Sequence, residues 1–374
     1  MARDSGQAVR YSPGNDSKLL SLCGKVASQI PSQAIIITGS RATGHGLTPE
    51  SDYDMLVVMP TPLVPFYLGK LRRLEVEMAR ELGAEVTLSP LARFRLRHAR
   101  GNLFLYKLKH EGVTLWGRDL LRTMDPGSVA DIGPQWRFSY LFTGMKHLGQ
   151  DFEPEHLQGK PILDRKLGKS AAKATLYCGE VLSLMHGFYF TDPEEMVAWN
   201  SQPEHACLGA SFAPDLKTAL AWRSSGAPAG AEALSLWLKA RDYLRSTFCL
   251  LNGGAPDLAP EDFQEVAQRY LTAGVWPKNW QYFALAMLLK RQVWWATLPD
   301  IRPIDRRFHL ALLFLLSSAG QDGTISRPWL ERACRLLDGR ARAPRRGDDL
   351  YALWRELHAT IYSSWALACP LMGI

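Results

Sequence analysis

Two aspartates, Asp52 and Asp54, stand one residue apart where an apolar run, Tyr53–Met59, begins. Because side chains alternate between the two faces of a strand, both carboxylates would project from one face, roughly 7 Å apart along the chain. Two carboxylates held together beside apolar residues repel each other and lose hydration, which is costly unless a cation lies between them. The pair therefore predicts a divalent-cation site, and its oxygen ligands suit Mg²⁺.

A Gly-Ser turn, Gly39-Ser40, ends the preceding apolar run, Ala34–Thr38. Gly39 has no side chain to block an approaching phosphate, and it tolerates dihedral angles that other residues avoid. Ser40 offers a hydroxyl, and the backbone N–H groups that follow it would form an anion cradle at a helix start. Arg41 lies in the same loop and either contacts a triphosphate or faces solvent. A phosphate-binding loop beside a divalent-cation site is the smallest set of groups that nucleotidyl transfer needs.

Other nucleotide-binding motifs are absent from this stretch. Neither G-x-G-x-x-G nor G-x-x-x-x-G-K-[ST] occurs, and the gap between the two apolar runs is short for a crossover helix. Asp-x-Asp alone is common in turns and calcium loops. The spacing of 13 residues from Gly39 to Asp52 is what favours the nucleotidyl-transfer interpretation.

The combined motif, "GSRATG…ESDYDMLVV", resembles the signature of the DNA polymerase β-type nucleotidyltransferase superfamily, above all its minimal and aminoglycoside-modifying branches. The resemblance covers about residues 19–121. It implies an enzyme with nucleotide-binding Gly39 and Ser40, an NTP such as ATP as substrate, and two Mg²⁺ ions, with Mn²⁺ as the alternative. It also implies a third carboxylate on a neighbouring strand, which ligates metal with Asp52 and Asp54 and accepts the acceptor's proton. Glu85 in "GAEVTL" fits that position.

The elements around these residues predict an α+β domain over residues 1–125, a mixed sheet with flanking helices. The expected helices cover 15–30, 65–82 and 102–110, and the expected strands cover 34–38, 53–59, 84–88 and 112–117. In this arrangement Tyr53 faces away from the two aspartates and is expected to lie in the core.

Residues 126–374 predict an all-α domain that closes over the nucleotide or substrate. Its expected helices cover 163–186, 232–251, 260–273, 279–296, 305–317, 327–337 and 348–367. In the superfamily such a domain commonly gives a lysine or arginine to the triphosphate. "KLGKSAAKA" loosely resembles the Ser-Lys-x-x-Ala stretch of aminoglycoside adenylyltransferases with serine and lysine reversed, and it makes Lys169 and Lys173 the candidates. A solvated lysine face is the competing interpretation.

Composition sets wider bounds on function. The chain has 374 residues, 47% of them hydrophobic and 22% charged, which is typical of a globular protein. A net charge of +7 favours anionic partners such as nucleotides or RNA, although ordinary enzymes can be this basic. Six scattered cysteines without a C-x-x-C pair, and no apolar segment of signal-peptide or membrane-spanning type, predict a cytoplasmic protein without a membrane partner. The basic loop 339–349 either binds an anion or is a solvated loop without a ligand.

These observations lead to one main hypothesis on activity: transfer of NMP from an NTP to an acceptor hydroxyl, with release of pyrophosphate. A small-molecule or protein acceptor is favoured, because the sequence carries no recognisable RNA-binding module. Three alternatives stay open: modification of an RNA or tRNA end, synthesis of cyclic or oligomeric nucleotides, and an antitoxin-like binding protein whose catalysis is incidental.

Overall fold

The computed structural model of the protein describes residues 16–45, 51–60, 63–162, 165–256, 262–272, 304–337 and 344–372, together with residues 12 and 258. These residues divide into two compact units. The first combines the described chain up to Trp136 with a short segment, Gly187–Pro193. The second holds Arg137–His186 and the described chain from Glu194 to Met372.

The first unit contains a four-stranded sheet and its covering helices. In chain order the elements are α1 (Ser17–Gln29), β1 (Ala34–Thr38), α2 (Ser40–Thr43), β2 (Tyr53–Met59), α3 (Val64–Leu82), β3 (Val86–Ala92), α4 (Arg93–Arg97), α5 (Leu103–Glu111) and β4 (Val113–Gly117). The side chains of Asp16 and Asn102 cap α1 and α5, accepting the N–H groups of Leu19 and Leu105. The predicted elements of the N-terminal domain are therefore confirmed, with one shifted strand.

The shifted strand is β3, which was expected at 84–88 and instead begins after Glu85 and continues to Ala92. The prediction was wrong at the far end, where the strand continues through Ser89-Pro90. β3 is the edge strand of the sheet, and an edge position tolerates a proline because one side of the strand makes no ladder bonds.

The sheet is mixed, with strand order β3-β2-β1-β4. β1 runs antiparallel to both of its neighbours, β2 and β4, whereas β2 and β3 are parallel. The register places Thr38 of β1 opposite Asp54 of β2, and Asp54 beside Thr87 of β3. Side chains of these three residues consequently project from the same face.

One face of the sheet is covered by α1 and α3. Its strands contribute Ile35, Ile37, Tyr53, Met55, Val57, Met59, Val86 and Leu88 to an apolar cluster with side chains of both helices. Tyr53 is 6% exposed within this cluster, so the expectation that it is a core residue is confirmed. α3 is also fixed to β3 by a polar contact, because the buried Glu75 carboxylate accepts the Leu88 N–H at 2.8 Å.

The opposite face of the sheet is covered only in part. Its apolar cluster joins strand residues to α4, α5 and the chain around them, with members Ala34, Ile36, Leu56, Val58, Leu91, Leu96, Ala99, Leu105, Leu108, Leu121 and Met124. The same face continues to Thr38, Asp54 and Thr87, which are half-buried. This face therefore has an apolar end under helices and a polar end that reaches solvent.

The second unit is helical in its described residues, which confirms the predicted helical remainder. Its helices are α6 (Pro134–Gln150), α7 (Lys166–Met185), α8 (Pro193–Asn200), α9 (Phe212–Ser225), α10 (Ala231–Leu251), α11 (Phe263–Thr272), α12 (Ile304–Ser317), α13 (Arg327–Leu336) and α14 (Leu350–Met372). α7 packs against α9 and α10, and α12 packs against α13 and α14. The helix predicted at 279–296 and residues 339–343 of the basic loop lie outside the described residues, and α6, α8 and α9 were not predicted.

Buried aromatic rings fill part of this helical unit. The rings of Phe152 and Trp237 stack with centroids 3.8 Å apart, and Trp237 Nε1–H donates to the Leu148 carbonyl at 2.7 Å. The cysteines whose side chains are described are free. Over the described ranges, none of the helices combines the length and the apolarity that a membrane crossing requires.

Candidate active site

The polar end of the sheet is built around Asp54. Thr38 pairs with Asp54 across the antiparallel ladder and donates its hydroxyl to the Asp54 carbonyl at 3.2 Å. Thr87 lies beside Asp54 on the parallel neighbour. Two residues further along β2, Leu56 is already buried under α5. Asp54 is thus the first residue of its strand face to emerge from the apolar cover.

Asp52 and Glu85 extend this polar end by one residue on each strand. The Tyr53 N–H donates to the Glu85 carbonyl at 2.8 Å, so the parallel ladder reaches back to Glu85 although β3 begins only at Val86. Strand alternation then places Asp52 and Glu85 on the same side as Asp54. The three predicted acids lie together at one end of the sheet, with Asp52 half-buried and Glu85 exposed.

The turn that follows β1 lies against this acidic end. Gly39 adopts φ 70° and ψ −156°, a conformation that strongly favours glycine, and its carbonyl accepts the N–H groups of Ala42 and Thr43 at 3.0 and 3.1 Å. A Cβ atom placed on Gly39 would lie 3.4 Å from Asp54 Oδ2. The structure therefore brings the predicted turn and the predicted carboxylate into direct proximity, and the missing side chain leaves space between them.

Arg41 connects the turn to the acidic strand. Its guanidinium donates from Nε and Nη2 to the Ser51 carbonyl, at 3.1 and 2.8 Å, and lies 4.2 Å above the centre of the Tyr53 ring. Ser51 immediately precedes Asp52, so Arg41 fixes the backbone from which the first aspartate projects. The sequence analysis missed this clamp, and its predicted contact between Arg41 and the nucleotide stays a prediction.

The residues at this end of the sheet fit a divalent cation in their chemistry. Asp52, Asp54 and Glu85 present carboxylate oxygens, which are the ligands that Mg²⁺ and similar hard cations prefer. Within the described ranges, no group of three or more His, Cys, Asp or Glu side chains is placed so that it could hold a metal ion. The Glu85 side chain is exposed, so the assignment of all three acids to one metal site stays a prediction.

The predicted lysines lie on α7 of the second unit. Lys169 is exposed and Lys173 is half-buried. Burial, together with the nearby charges of Lys173 and Lys146, lowers the pKa of His147 to about 4. Ser170, between the two lysines, donates its hydroxyl to the Asp151 carboxylate and so has a structural partner. A contact from Lys169 or Lys173 to the triphosphate stays a prediction.

Comparison with known proteins assigns the first unit to a family. Residues 21–110 match the model of the nucleotidyltransferase domain family. Residues 21–110 of this unit carry a nucleotidyltransferase domain. The match runs from within α1 to within α5, so it includes Gly39, Asp52, Asp54 and Glu85. No curated protein matches the chain.

The match confirms the superfamily resemblance and supports a transferase that moves nucleotidyl groups. A nucleotidyltransferase domain implies an NTP substrate, and its family generally uses divalent metal ions. The helices α6–α14 lie outside the matched residues.

A second feature that sequence reasoning missed is the segment Gly187–Pro193, which had been assigned to the helical domain. In the structure it packs with the first unit. Tyr189 donates its hydroxyl to the Glu111 carboxylate, and Asp192 Oδ1 lies 4.0 Å from His45 Nδ1. The aromatic residues Phe188-Tyr189-Phe190, just after α7, were the only local indication that this segment packs against something. Its partner, Glu111, is about 80 residues away in sequence, so no local pattern could predict the contact.

Proposed function

We propose that the protein is a divalent-metal-dependent nucleotidyltransferase that moves NMP from an NTP to an acceptor hydroxyl and releases pyrophosphate. The observation that carries this proposal is that the Gly39 backbone lies next to the Asp54 carboxylate, within the residues that match a nucleotidyltransferase domain. A Cβ atom on Gly39 would lie 3.4 Å from Asp54 Oδ2. This proximity supports a site in which the turn would accommodate phosphates and the carboxylate would ligate a metal ion.

Each polar residue at this end of the sheet has a proposed role. Asp52, Asp54 and Glu85 would hold Mg²⁺, with Mn²⁺ as the alternative. A bound divalent cation neutralises phosphate charge and stabilises the attacking and leaving oxygens in line. Gly39 leaves room for the β- and γ-phosphates, and the Ser40 hydroxyl and backbone N–H groups bind them.

The proposed reaction is a single displacement at the α-phosphorus. The acceptor hydroxyl oxygen forms a bond to that phosphorus while the bond to the α,β-bridging oxygen breaks, and pyrophosphate leaves with the electron pair. The hydroxyl proton passes to the Glu85 carboxylate. Because Glu85 is exposed, it can release that proton to solvent after each turnover.

Two lysines of the second unit have a proposed role in nucleotide binding. Lys169 and Lys173 of α7 are proposed to contact the triphosphate, where their positive charge would offset part of its negative charge. The acceptor is proposed to be a small molecule or a protein.

The test is incubation of the full chain with each α-labelled NTP and Mg²⁺, alone and with a cell extract, followed by separation of products by size and mass. We expect label on an acceptor with the wild type and none with the double variant Asp52→Asn plus Asp54→Asn. The matched control is Glu77→Gln plus Glu81→Gln, which removes the same charge from exposed positions on α3 that pair only with lysine at the surface.

The products also separate the alternatives. A cyclic or oligomeric product without extract would favour nucleotide cyclisation, and label on RNA would favour modification of an RNA end. Absence of turnover together with absence of any NTP-induced thermal shift would contradict the proposal and favour a binding protein.

A further inference from the structure

The chain that follows β3 carries a concentration of positive charge. Between Glu85 and Glu111 the sequence contains six arginines and lysines and no carboxylate. They are Arg93, Arg95, Arg97, Arg100, Lys107 and Lys109. The whole chain has a net charge of only +7 over 374 residues, so this stretch holds a large share of the excess. Such a local excess attracts anions to the surface that it forms.

α4 holds three of these arginines and lies away from the three acids of the candidate active site. Thr87 of β3 pairs with Asp54, and Ala92, five residues later, ends the strand and leads into α4. At about 3.3 Å per residue, the two positions are about 17 Å apart along the strand. This separation exceeds the Debye length of about 10 Å at 0.1 M salt. The negative charge at Asp54 is therefore largely screened from an anion at α4.

α4 packs on the sheet with one side and faces solvent with the other. Leu96 is 7% exposed and belongs to the apolar cluster that α4 and α5 share with the strands. With about 3.6 residues per turn, Phe94, two residues earlier, projects from nearly the opposite side of the helix. Phe94 is 50% exposed, and its ring meets the exposed His98 ring edge to face, with centroids 6.4 Å apart. The outward side of α4 therefore presents an aromatic pair.

Two arginines next to Phe94 have no carboxylate to offset their charge. Arg93 and Arg97 are four residues apart and therefore share one side of the helix, adjacent to Phe94. Arg97 is exposed and Arg93 is half-buried. Throughout the described ranges, no acidic side chain pairs with either of them, whereas Arg100 pairs with Asp131 at 3.4 Å. Arg93 and Arg97 are thus the arginines whose charge is available to an anion beside the exposed ring.

We propose that the outward side of α4 is a binding surface for single-stranded nucleic acid, formed by Arg93, Phe94, Arg97 and His98. The inference goes beyond the proposed function and does not depend on it, because the surface needs neither a metal ion nor an NTP. Arginine binds backbone phosphates, and an exposed aromatic ring stacks on an unpaired base. Charge alone would attract any polyanion, and the half-exposed ring beside the arginines is what favours a strand with unpaired bases.

An anionic membrane is the competing partner for a basic surface with an aromatic residue. Membrane-surface helices bury a continuous apolar face in the lipid boundary. α4 has five residues, and the one apolar face it has, at Leu96, is buried in the protein. A nucleic-acid strand, which needs only one stacking ring per base, therefore fits this surface better.

The test measures binding of labelled oligouridylate and oligothymidylate, about 12 nucleotides long, by fluorescence anisotropy over a range of salt concentrations. The full chain is used in EDTA, so that no cation at the carboxylates contributes. We expect Phe94→Ala to weaken binding at least about fivefold without changing the salt dependence, and Phe94→Trp to retain affinity. Arg93→Gln plus Arg97→Gln should reduce the slope of log K against log salt by about 1.4, since each lost phosphate contact removes about 0.7.

Two matched controls lie on α3 in the same unit. Arg73→Gln plus Arg80→Gln removes the same charge from exposed positions and should leave the salt slope nearly unchanged. Phe66→Ala removes an 80% exposed phenylalanine and should leave affinity unchanged. Melting temperatures of all variants establish that each is folded.

Four results would overturn the inference. They are no binding of either strand by the wild type, equal losses in the α4 and α3 arginine variants, and unchanged affinity in Phe94→Ala. The fourth is tighter binding to vesicles of anionic phospholipid that the same α4 substitutions abolish, which would assign the surface to a membrane. An RNA duplex of the same length should be insensitive to Phe94→Ala, because its bases are already stacked.

Discussion

The two ends of one sheet face differ in a way that separates stability from chemistry. Leu56 and Asp54 project from the same face of β2, two residues apart. Leu56 is 7% exposed beneath α5, whereas Asp54 lies past the edge of that cover, next to the Gly39 turn. One strand therefore contributes core packing at one end and a polar, solvent-reaching surface at the other, and the extent of the covering helices decides where the change occurs.

The largest expected effect comes from substituting these two neighbours separately. Asp54→Asn should reduce turnover about 10³-fold, the scale of losing a group that stabilises transition-state charge, with the free energy of unfolding changed by less than about 0.5 kcal/mol. Leu56→Ala should lower the free energy of unfolding by about 2–5 kcal/mol, because it leaves a cavity in a packed cluster. Labelled-NTP turnover and urea denaturation measure the two quantities.

Because Leu56→Ala lowers stability, its turnover is divided by the fraction of folded protein, which circular dichroism measures. If Leu56→Ala at full folding lost as much turnover as Asp54→Asn, the division between a stabilising end and a reactive end would be wrong.

A pair of glycines sharpens the same comparison within the first unit. Gly39 and Gly83 share a positive φ, 70° and 67°, but their ψ values differ, −156° against 22°. Alanine should cost Gly83 about 1 kcal/mol of stability and Gly39 more, about 2–3 kcal/mol, because a Cβ is strained at positive φ and the Gly39 conformation is essentially restricted to glycine. Only at Gly39 would the new Cβ stand 3.4 Å from Asp54 Oδ2, whereas nothing lies within 4 Å at Gly83. Gly39→Ala should therefore lose at least about tenfold in turnover, and Gly83→Ala should keep it.

If both glycine variants kept wild-type turnover, measured beside their melting temperatures, the space between the turn and Asp54 would have no role in phosphate binding. A loss of turnover at Gly83 as large as the loss at Gly39 would point to backbone strain rather than to the occupied space.

A buried histidine in the helical unit makes the stability of the protein depend on pH, in contrast to the half-buried acids of the sheet. The His309 ring stacks on Phe142 with centroids 3.7 Å apart, and burial lowers the pKa of His309 from 6.5 to about 3. The unfolded chain binds a proton at this histidine below pH 6.5 while the folded chain does not. Stability should therefore fall as pH decreases from about 6.5 towards 3, by about 1–2 kcal/mol at pH 5.

His309→Phe keeps a ring against Phe142 and removes the proton site, so the loss of stability between pH 7 and pH 5 should shrink by that amount. Denaturation curves at both pH values measure it. His186→Phe, at an exposed histidine in the same unit, is the control and should leave the pH dependence unchanged.

The smallest expected effect concerns the Arg41 clamp. Arg41→Ala removes two hydrogen bonds to the Ser51 carbonyl and should cost about 1 kcal/mol of stability, with kcat lowered by misplacement of Asp52. Arg41→Lys should restore little, since a lysine cannot reproduce the planar, two-point contact. If Arg41 instead binds the triphosphate, the Kd for tripolyphosphate would rise and the melting temperature would stay the same.

The sequence by itself determined the local elements and the family of the N-terminal domain. Ala34–Thr38 and Tyr53–Met59 form strands at the predicted residues, because continuous apolar, β-branched runs fit a sheet covered by helices. The spacing from Gly39 to Asp52 was sufficient for the superfamily resemblance that the family match confirms. These features depend on residues that are close together in the chain, so the local sequence pattern is enough to predict them.

Only the tertiary structure decided which end of the sheet stays open and what surrounds it. The late start and long course of β3, the Arg41 clamp on Ser51 and the docking of Gly187–Pro193 beside Glu111 each depend on contacts between distant parts of the chain. Such contacts are selected by how the covering helices and the edge strand pack together, and periodicity along a single segment carries no information about its partner. The candidate residues of the site could be named from the sequence, whereas the contacts around them required the fold.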